Sequence, residues 1–176
     1  MSTSQPKRYV VLGPSGANPR PGVHTSMPFR KGGFNSPPLP IPIQTKDEAQ
    51  ANPLYNVLGS WVETNYPLPP DIFVDNFLHS TAFQKAEAAL EDTGDGWCWV
   101  VIYGSKTGIF LNMTEALKYV DMGTKEWRRA FGFKSVRDAF SAYLTKKDDP
   151  NHLEYDYHPT LDPDARAKFL PIGSFS

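Results

Sequence analysis

The chain of 176 residues contains a single cysteine, Cys98. A disulfide framework within the chain is therefore excluded, as are the common thiolate zinc sites, which need at least a second cysteine. Cys98 stands in the apolar run "WCWVVIY" and reads as a small buried hydrophobe. Long hydrophobic runs are also missing. No window approaches the roughly 18 apolar residues of a membrane span, and "MSTSQPKRYVVLG" at the N-terminus has no signal-peptide core. The expectation is an intracellular protein, cytoplasmic or nuclear, with no membrane partner. Catalytic patterns are scarce as well. "GPSG" at 13–16 lacks the Gly-Lys-Ser/Thr of a phosphate loop and reads as a turn. His24 neighbours Thr25 and Ser26, but no acid at a telling distance completes a triad. His152, Glu154, Asp156 and His158 fall in a Pro-rich acidic tail, where solvated side chains are a better reading than a metal site. No catalytic residue, metal or cofactor is assigned, and a noncatalytic protein is expected.

What is present can build a core: 40% of residues are hydrophobic and 13% aromatic, in a length suited to one domain or two small ones. Of the 17 prolines, 15 gather at 14–42, 67–70 and 150–171, which points to extended connectors there. Charge is uneven. Residues 1–50 carry six basic and two acidic side chains, 51–96 one and seven, 97–147 nine and four, and 148–176 two and six. Two basic segments thus alternate with two acidic ones, and a basic patch of this kind suits phosphates.

The clearest local pattern runs from 97 to 147. "WCWVVIY" is rich in aromatic and β-branched residues, "GSKTG" is a turn signal, and "IFL" at 109–111 returns as an antiparallel partner. Asn112 with Glu115 three residues on is a capping arrangement that opens a helix closed by Gly123, with Met113, Ala116, Leu117 and Val120 on its buried face. "RRAFGF" at 128–133 reads as a third strand. Ser135 and Asp138 then cap a helix in which Val136, Ala139, Phe140 and Tyr143 share a face, with Lys146 and Lys147 at its end. The order is strand, strand, helix, strand, helix: a small three-stranded antiparallel sheet with two helices, of the α+β class.

The N-terminal segment repeats the ends of this pattern. "YVVLG" matches "WVVIYG", "PGVHTS" matches "TGIFLN", and "IQTKDEA" at 43–49 matches "FKSVRDA" at 133–139, with Thr45 and Glu48 repeating the capping spacing of Ser135 and Asp138. "MPFRKGGFNSPPLPIP" stands where the first helix would be and is too rich in Pro and Gly to be helical. Between the two copies, Pro53 suits a helix start, followed by an apolar stripe of Leu54, Val57, Leu58, Trp61 and Val62. "DIFVDNFL" and "STAFQKAEAALED" suggest two more helices. The tail has no clear period and is expected on the surface. The expected organisation is a degenerate half at 1–50, a helical bridge at 51–96, a well-formed module at 97–147 and an acidic Pro-rich tail at 148–176, the two halves forming one pseudo-symmetric body.

"WVVIYGSKTGIFLNMTEA" and "FGFKSVRDAFSAYL" together resemble the hybrid-binding domain found at the N-terminus of eukaryotic type 1 ribonucleases H and in the caulimovirus viroplasmin protein. Trp99, Val100, Val101, Gly104, Gly108, Ile109, Phe110, Glu115, Ala116, Phe133, Ser135, Asp138 and Ala139 carry the likeness in order. The resemblance covers 97–147 well and 8–49 weakly. It implies the compact fold above and binding to RNA/DNA hybrid or double-stranded RNA across the minor groove, where backbone, 2′-hydroxyl and phosphate contacts read shape. Met113, and Met27 in the repeat, occupy the slot that the family gives to a Trp packed on a deoxyribose. "AFG" at 130–132, and "PIP" at 40–42, replace its Phe-Lys-Lys run.

The candidate nucleic-acid-binding residues are Lys106, Met113, Lys125, Arg128, Arg129 and Lys134. The sequence supports two readings: a noncatalytic module that docks RNA/DNA hybrid or double-stranded RNA through basic faces, or a protein-interaction or assembly module that kept the fold and lost those contacts. Phe29, Phe34 and "SPPLPIPI" are the apolar segments that the second reading would expose.

Overall fold

The structure, a computed structural model, describes residues 7–30, 38–91, 97–102, 105–120 and 130–145, and the backbone of 155–157. In chain order the elements are β1 (Arg8–Leu12), β2 (Gly22–His24), β3 (Ile41–Thr45), α1 (Glu48–Asn65), α2 (Pro70–Leu78), α3 (Thr81–Glu91), β4 (Cys98–Val101), β5 (Gly108–Phe110), α4 (Met113–Leu117), β6 (Ala130–Phe133), α5 (Val136–Thr145) and β7 (Tyr155–Tyr157). The class is α+β. The sheet, however, is larger than the expected three strands: seven strands run in the order β2-β1-β3-β5-β4-β6-β7. Every neighbouring pair is antiparallel except β3–β5, which is parallel and joins two three-stranded units into one mixed sheet.

The two units share one ladder. In the first, Val11 pairs with Gly22, Val10 with Val23 and Tyr9 with His24; in the second, Val101 pairs with Gly108, Val100 with Ile109 and Trp99 with Phe110. Across the other edge, Val10 faces Ile43 and Tyr9 faces Gln44, as Val100 faces Phe131 and Trp99 faces Gly132. Both second strands open on a glycine of positive φ, +147° at Gly22 and +158° at Gly108. This register corrects the sequence match at the third strand. Ile43 corresponds to Phe131 rather than Phe133, which makes Asp47 the counterpart of Ser135.

The helix caps agree with that correction. Asp47 Oδ1 accepts from Gln50 N at 2.9 Å, as Ser135 Oγ accepts from Asp138 N at 3.2 Å. Thr45 is no cap, because it still belongs to β3 and its hydroxyl donates to Arg8 O at 2.8 Å. Helix α1 therefore begins before Pro53 and runs through residue 50, so the helix after β3 belongs to the first unit as α5 belongs to the second. Pro53 lies inside α1 rather than at its start. The Ala49 carbonyl that loses its donor there sits on an exposed residue, within reach of water.

Strand alternation sends Val10, Leu12, Ile41, Ile43, Val100, Ile109, Phe131 and Phe133 to one face, where α1, α2, α3 and α5 cover them. Phe77, Phe83 and Phe140 meet there at centroid distances of 5.1–6.3 Å, each ring contributing roughly 1.5–3 kcal/mol by burial. Arg137 of α5 donates to Leu78 O, pairs with Glu87 at 3.3 Å and lies over Phe83, tying α5 to the bridge helices. Val57, expected in the buried stripe of α1, is 38% exposed, since Ala51, Leu54, Leu58 and Val62 already fill the side toward the sheet. "IPI" at 41–43 is also buried, as strand β3, and not exposed apolar surface. Phe29 is 65% exposed, while Phe34 lies outside the described residues. The tail contributes β7 on the edge of β6, where no element was expected.

A polar seam closes the junction of the two units. Leu111 N donates to the buried Gln44 Oε1 at 2.7 Å, and Thr107 N and Oγ1 both donate to Arg30 O at 3.2 Å. A side chain at Gly108 would place its Cβ 2.6 Å from Pro42 O, so only glycine lets β5 approach β3 this closely.

Candidate nucleic-acid interface

The opposite face of the sheet receives the alternate residues: Lys7 and Tyr9 before and in β1, Gln44 in β3, Trp97, Trp99 and Val101 around β4, Phe110 in β5, and Gly132 and Lys134 in and after β6. The short helix α4 covers its middle. Asn112 caps α4 as expected, its Oδ1 accepting from Glu115 N at 2.9 Å. Beneath α4 lies a second, smaller core of Tyr9, Met27, Trp99, Val101, Phe110, Ala116, Val120 and Ala130.

Glu115 is the polar centre of this face. It is 8% exposed, and its Oε1 accepts from Lys7 Nζ at 3.0 Å and Lys118 Nζ at 2.9 Å. Burial by itself would raise its pKa, but the hydrogen bonds from Lys118 and Lys7 outweigh it and hold the carboxyl below its ordinary value. The carboxylate acts in turn on its neighbours. Burial first, then the Glu115 charge, pushes the Tyr9 phenol up to about 12 and raises that of Tyr119. Both phenols remain neutral donors at neutral pH.

Aromatic rings and lysines alternate around this centre. Lys106 Nζ lies 5.5 Å from the Tyr119 ring centroid and donates to Met27 O at 2.7 Å, while Tyr119 stacks on Phe110 at 5.4 Å. Lys134 Nζ lies 5.6 Å from the centroid of the half-buried Trp97, which is 6.1 Å from Trp99. The Trp99 ring packs against Gly132, where an added Cβ would come within 2.8 Å of it. A hollow of about 350 Å³ opens beside Trp97 and Lys134, lined also by Leu90, Glu91 and Leu111.

Three of the expected residues are brought to this face. Lys134 is exposed at one end, Lys106 is a strut between the two units, and Met113 packs half-buried against the smaller core. Lys125, Arg128 and Arg129 lie outside the described residues. Lys7, Lys118, Trp97 and Tyr119 were missed. The period-two alternation through "WCWVV" marked Trp97 and Trp99 as one face, but only the β4–β6 pairing sets Lys134 beside them.

The two faces differ in charge. The helices that cover the other face carry Glu63, Asp71, Asp75, Glu87 and Glu91, the last of which reaches the rim of the hollow beside Trp97 and Lys134. On the α4 face, Glu115 is already matched by two lysines. Among the described residues no cluster of His, Cys, Asp and Glu is arranged for a metal, and no helix is long and apolar enough to cross a membrane. Cys98 is buried, as expected. No family model, no curated protein and no solved structure matches this chain.

Proposed function

We propose that the chain is a noncatalytic module of the hybrid-binding kind, docking RNA/DNA hybrid or double-stranded RNA on its α4 face. The observation that carries this reading is the balance of charge: Lys7, Lys106, Lys118 and Lys134 outnumber Glu115 around the half-buried aromatics of one face, while Glu63, Asp71, Asp75 and Glu87 lie on the helices that cover the other. Lysines on phosphates supply affinity without sequence preference, and an exposed ring edge gives a sugar or base a surface to pack on. Trp97, held beside Lys134, takes over the work of the aromatic that Met113 replaces.

Fluorescence anisotropy against a short RNA/DNA hybrid, double-stranded RNA and double-stranded DNA tests this at low and physiological salt. The expected result is salt-sensitive binding that prefers hybrid or RNA. Lys118→Ala and Lys134→Ala should each flatten the salt slope by about one, and Trp97→Ala should weaken binding by about 1–3 kcal/mol. Absence of binding at low salt, or binding indifferent to these three changes, favours the protein-interaction reading instead.

A further inference from the structure

We infer that the chain has a built-in self-assembly edge, that its occupant is a second copy of the same chain, and that strand β7 keeps it closed. The contact between the two units is the observation that carries this. It is heterologous: the third strand of the first unit, β3, pairs in parallel with the second strand of the second unit, β5, at Ile43↔Ile109. Such a contact does not close on itself, so it leaves one copy of each surface unused, one at either end of the sheet. The unused second strand is β2, the terminal strand of the seven. The unused third strand is β6, and its outer edge is taken by β7 through Ala130↔Tyr157, Phe131↔Asp156 and Gly132↔Tyr155.

The shared ladder register fixes how a second copy would add. Val23 occupies the place of Ile109, and Phe131 the place of Ile43. With β7 lifted, β6 of one copy therefore pairs in parallel with β2 of the next at Phe131↔Val23. Gly22, with its positive φ, presents the same side-chain-free approach at β2 that Gly108 uses against Pro42. Within the chain, α2 and α3 also fill the space between α1 and α5. Nothing corresponding to them would lie between copies, so the intermolecular contact is the weaker of the two and needs high protein concentration. Open edges of this kind are what proteins blunt when they must stay monomeric, and β7 on β6 is such a device.

Sedimentation velocity on three chains tests the inference: the 176-residue chain, a chain ending at Thr145, and the full chain carrying Tyr155→Pro with Asp156→Pro. The first should stay a single species. The other two should give a concentration-dependent series at twice the monomer mass and above, whether as rings or open chains, and Val23→Pro added to either should return it to one species. The proline variant keeps the full length of the chain, so it decides the matter if the shortened chain loses its near-UV circular dichroism; hydrogen exchange at the β6 amides reports that β7 has lifted. A folded chain with β7 lifted that stays monomeric at high concentration overturns the inference. So does an assembly that Val23→Pro leaves intact.

Discussion

Glu115 is buried on a helix of five residues, yet it is held ionised by Lys7 from before β1 and by Lys118 from just beyond α4. Since its folded-state pKa lies below the ordinary 4.5, the carboxylate contributes stability that is full above the ordinary value and is lost as pH falls through the lower, folded value. Glu115→Gln should therefore cost about 1 kcal/mol at neutral pH, both lysines being largely exposed and screened, and the deficit should vanish in acid below the carboxylate range. Thermal unfolding of the two proteins across that range checks it. The local role of Glu115 was legible, since Asn112 and Glu115 announce a cap. Its long-range role was not: Lys7 is 108 residues away in sequence, and only the β1–β3–β5 pairing brings them together. The same holds for Trp97 and Lys134, each visible alone but juxtaposed only by the sheet.

The short elements were read well where a side chain near in sequence sets the boundary. Asn112 and Ser135 cap α4 and α5 because their oxygens meet N–H groups three residues on, a contact made within one turn. Thr45 and Glu48 have the same spacing but no cap between them, because strand pairing with β1 holds Thr45 extended through its bond to Arg8 O. Asp47 takes the task, and the Gln50 side chain accepts from Lys46 N at 2.8 Å in return. Asp47→Ala should cost about 1 kcal/mol, measured by urea denaturation. Thr45→Val should cost less helix content than Asp47→Ala by far-UV circular dichroism, since Thr45 serves the strand and not the helix. Pro53 was misread for a related reason. A proline marks a helix start only where nothing upstream extends the helix, and here Asp47 caps it earlier.

The seven-stranded sheet and its shared helical layer leave no boundary at which the two units separate. Ile43 and Ile109 adjoin across the β3–β5 pair, and α2 and α3 pack on α5 while α1 packs on α3 and β1. Unfolding should therefore be one cooperative event, with coincident denaturant midpoints from far-UV circular dichroism and from the fluorescence of Trp61 on α1 and Trp97 and Trp99 at β4. Two separated transitions would mean that the halves fold as independent domains. Local chemistry alone dictated much of this chain: the alternation of β-branched residues, the turn glycines and the Asx and Ser caps make two strand-turn-strand units followed by helices, because those interactions close within a few residues. The joining of the units was decided elsewhere. The parallel β3–β5 pair, the strand drawn from the acidic tail and the lysine-ringed aromatic face depend on which edges meet, and an edge offers the same backbone N–H and C=O groups whatever its sequence, so its partner is chosen only when the whole sheet is packed.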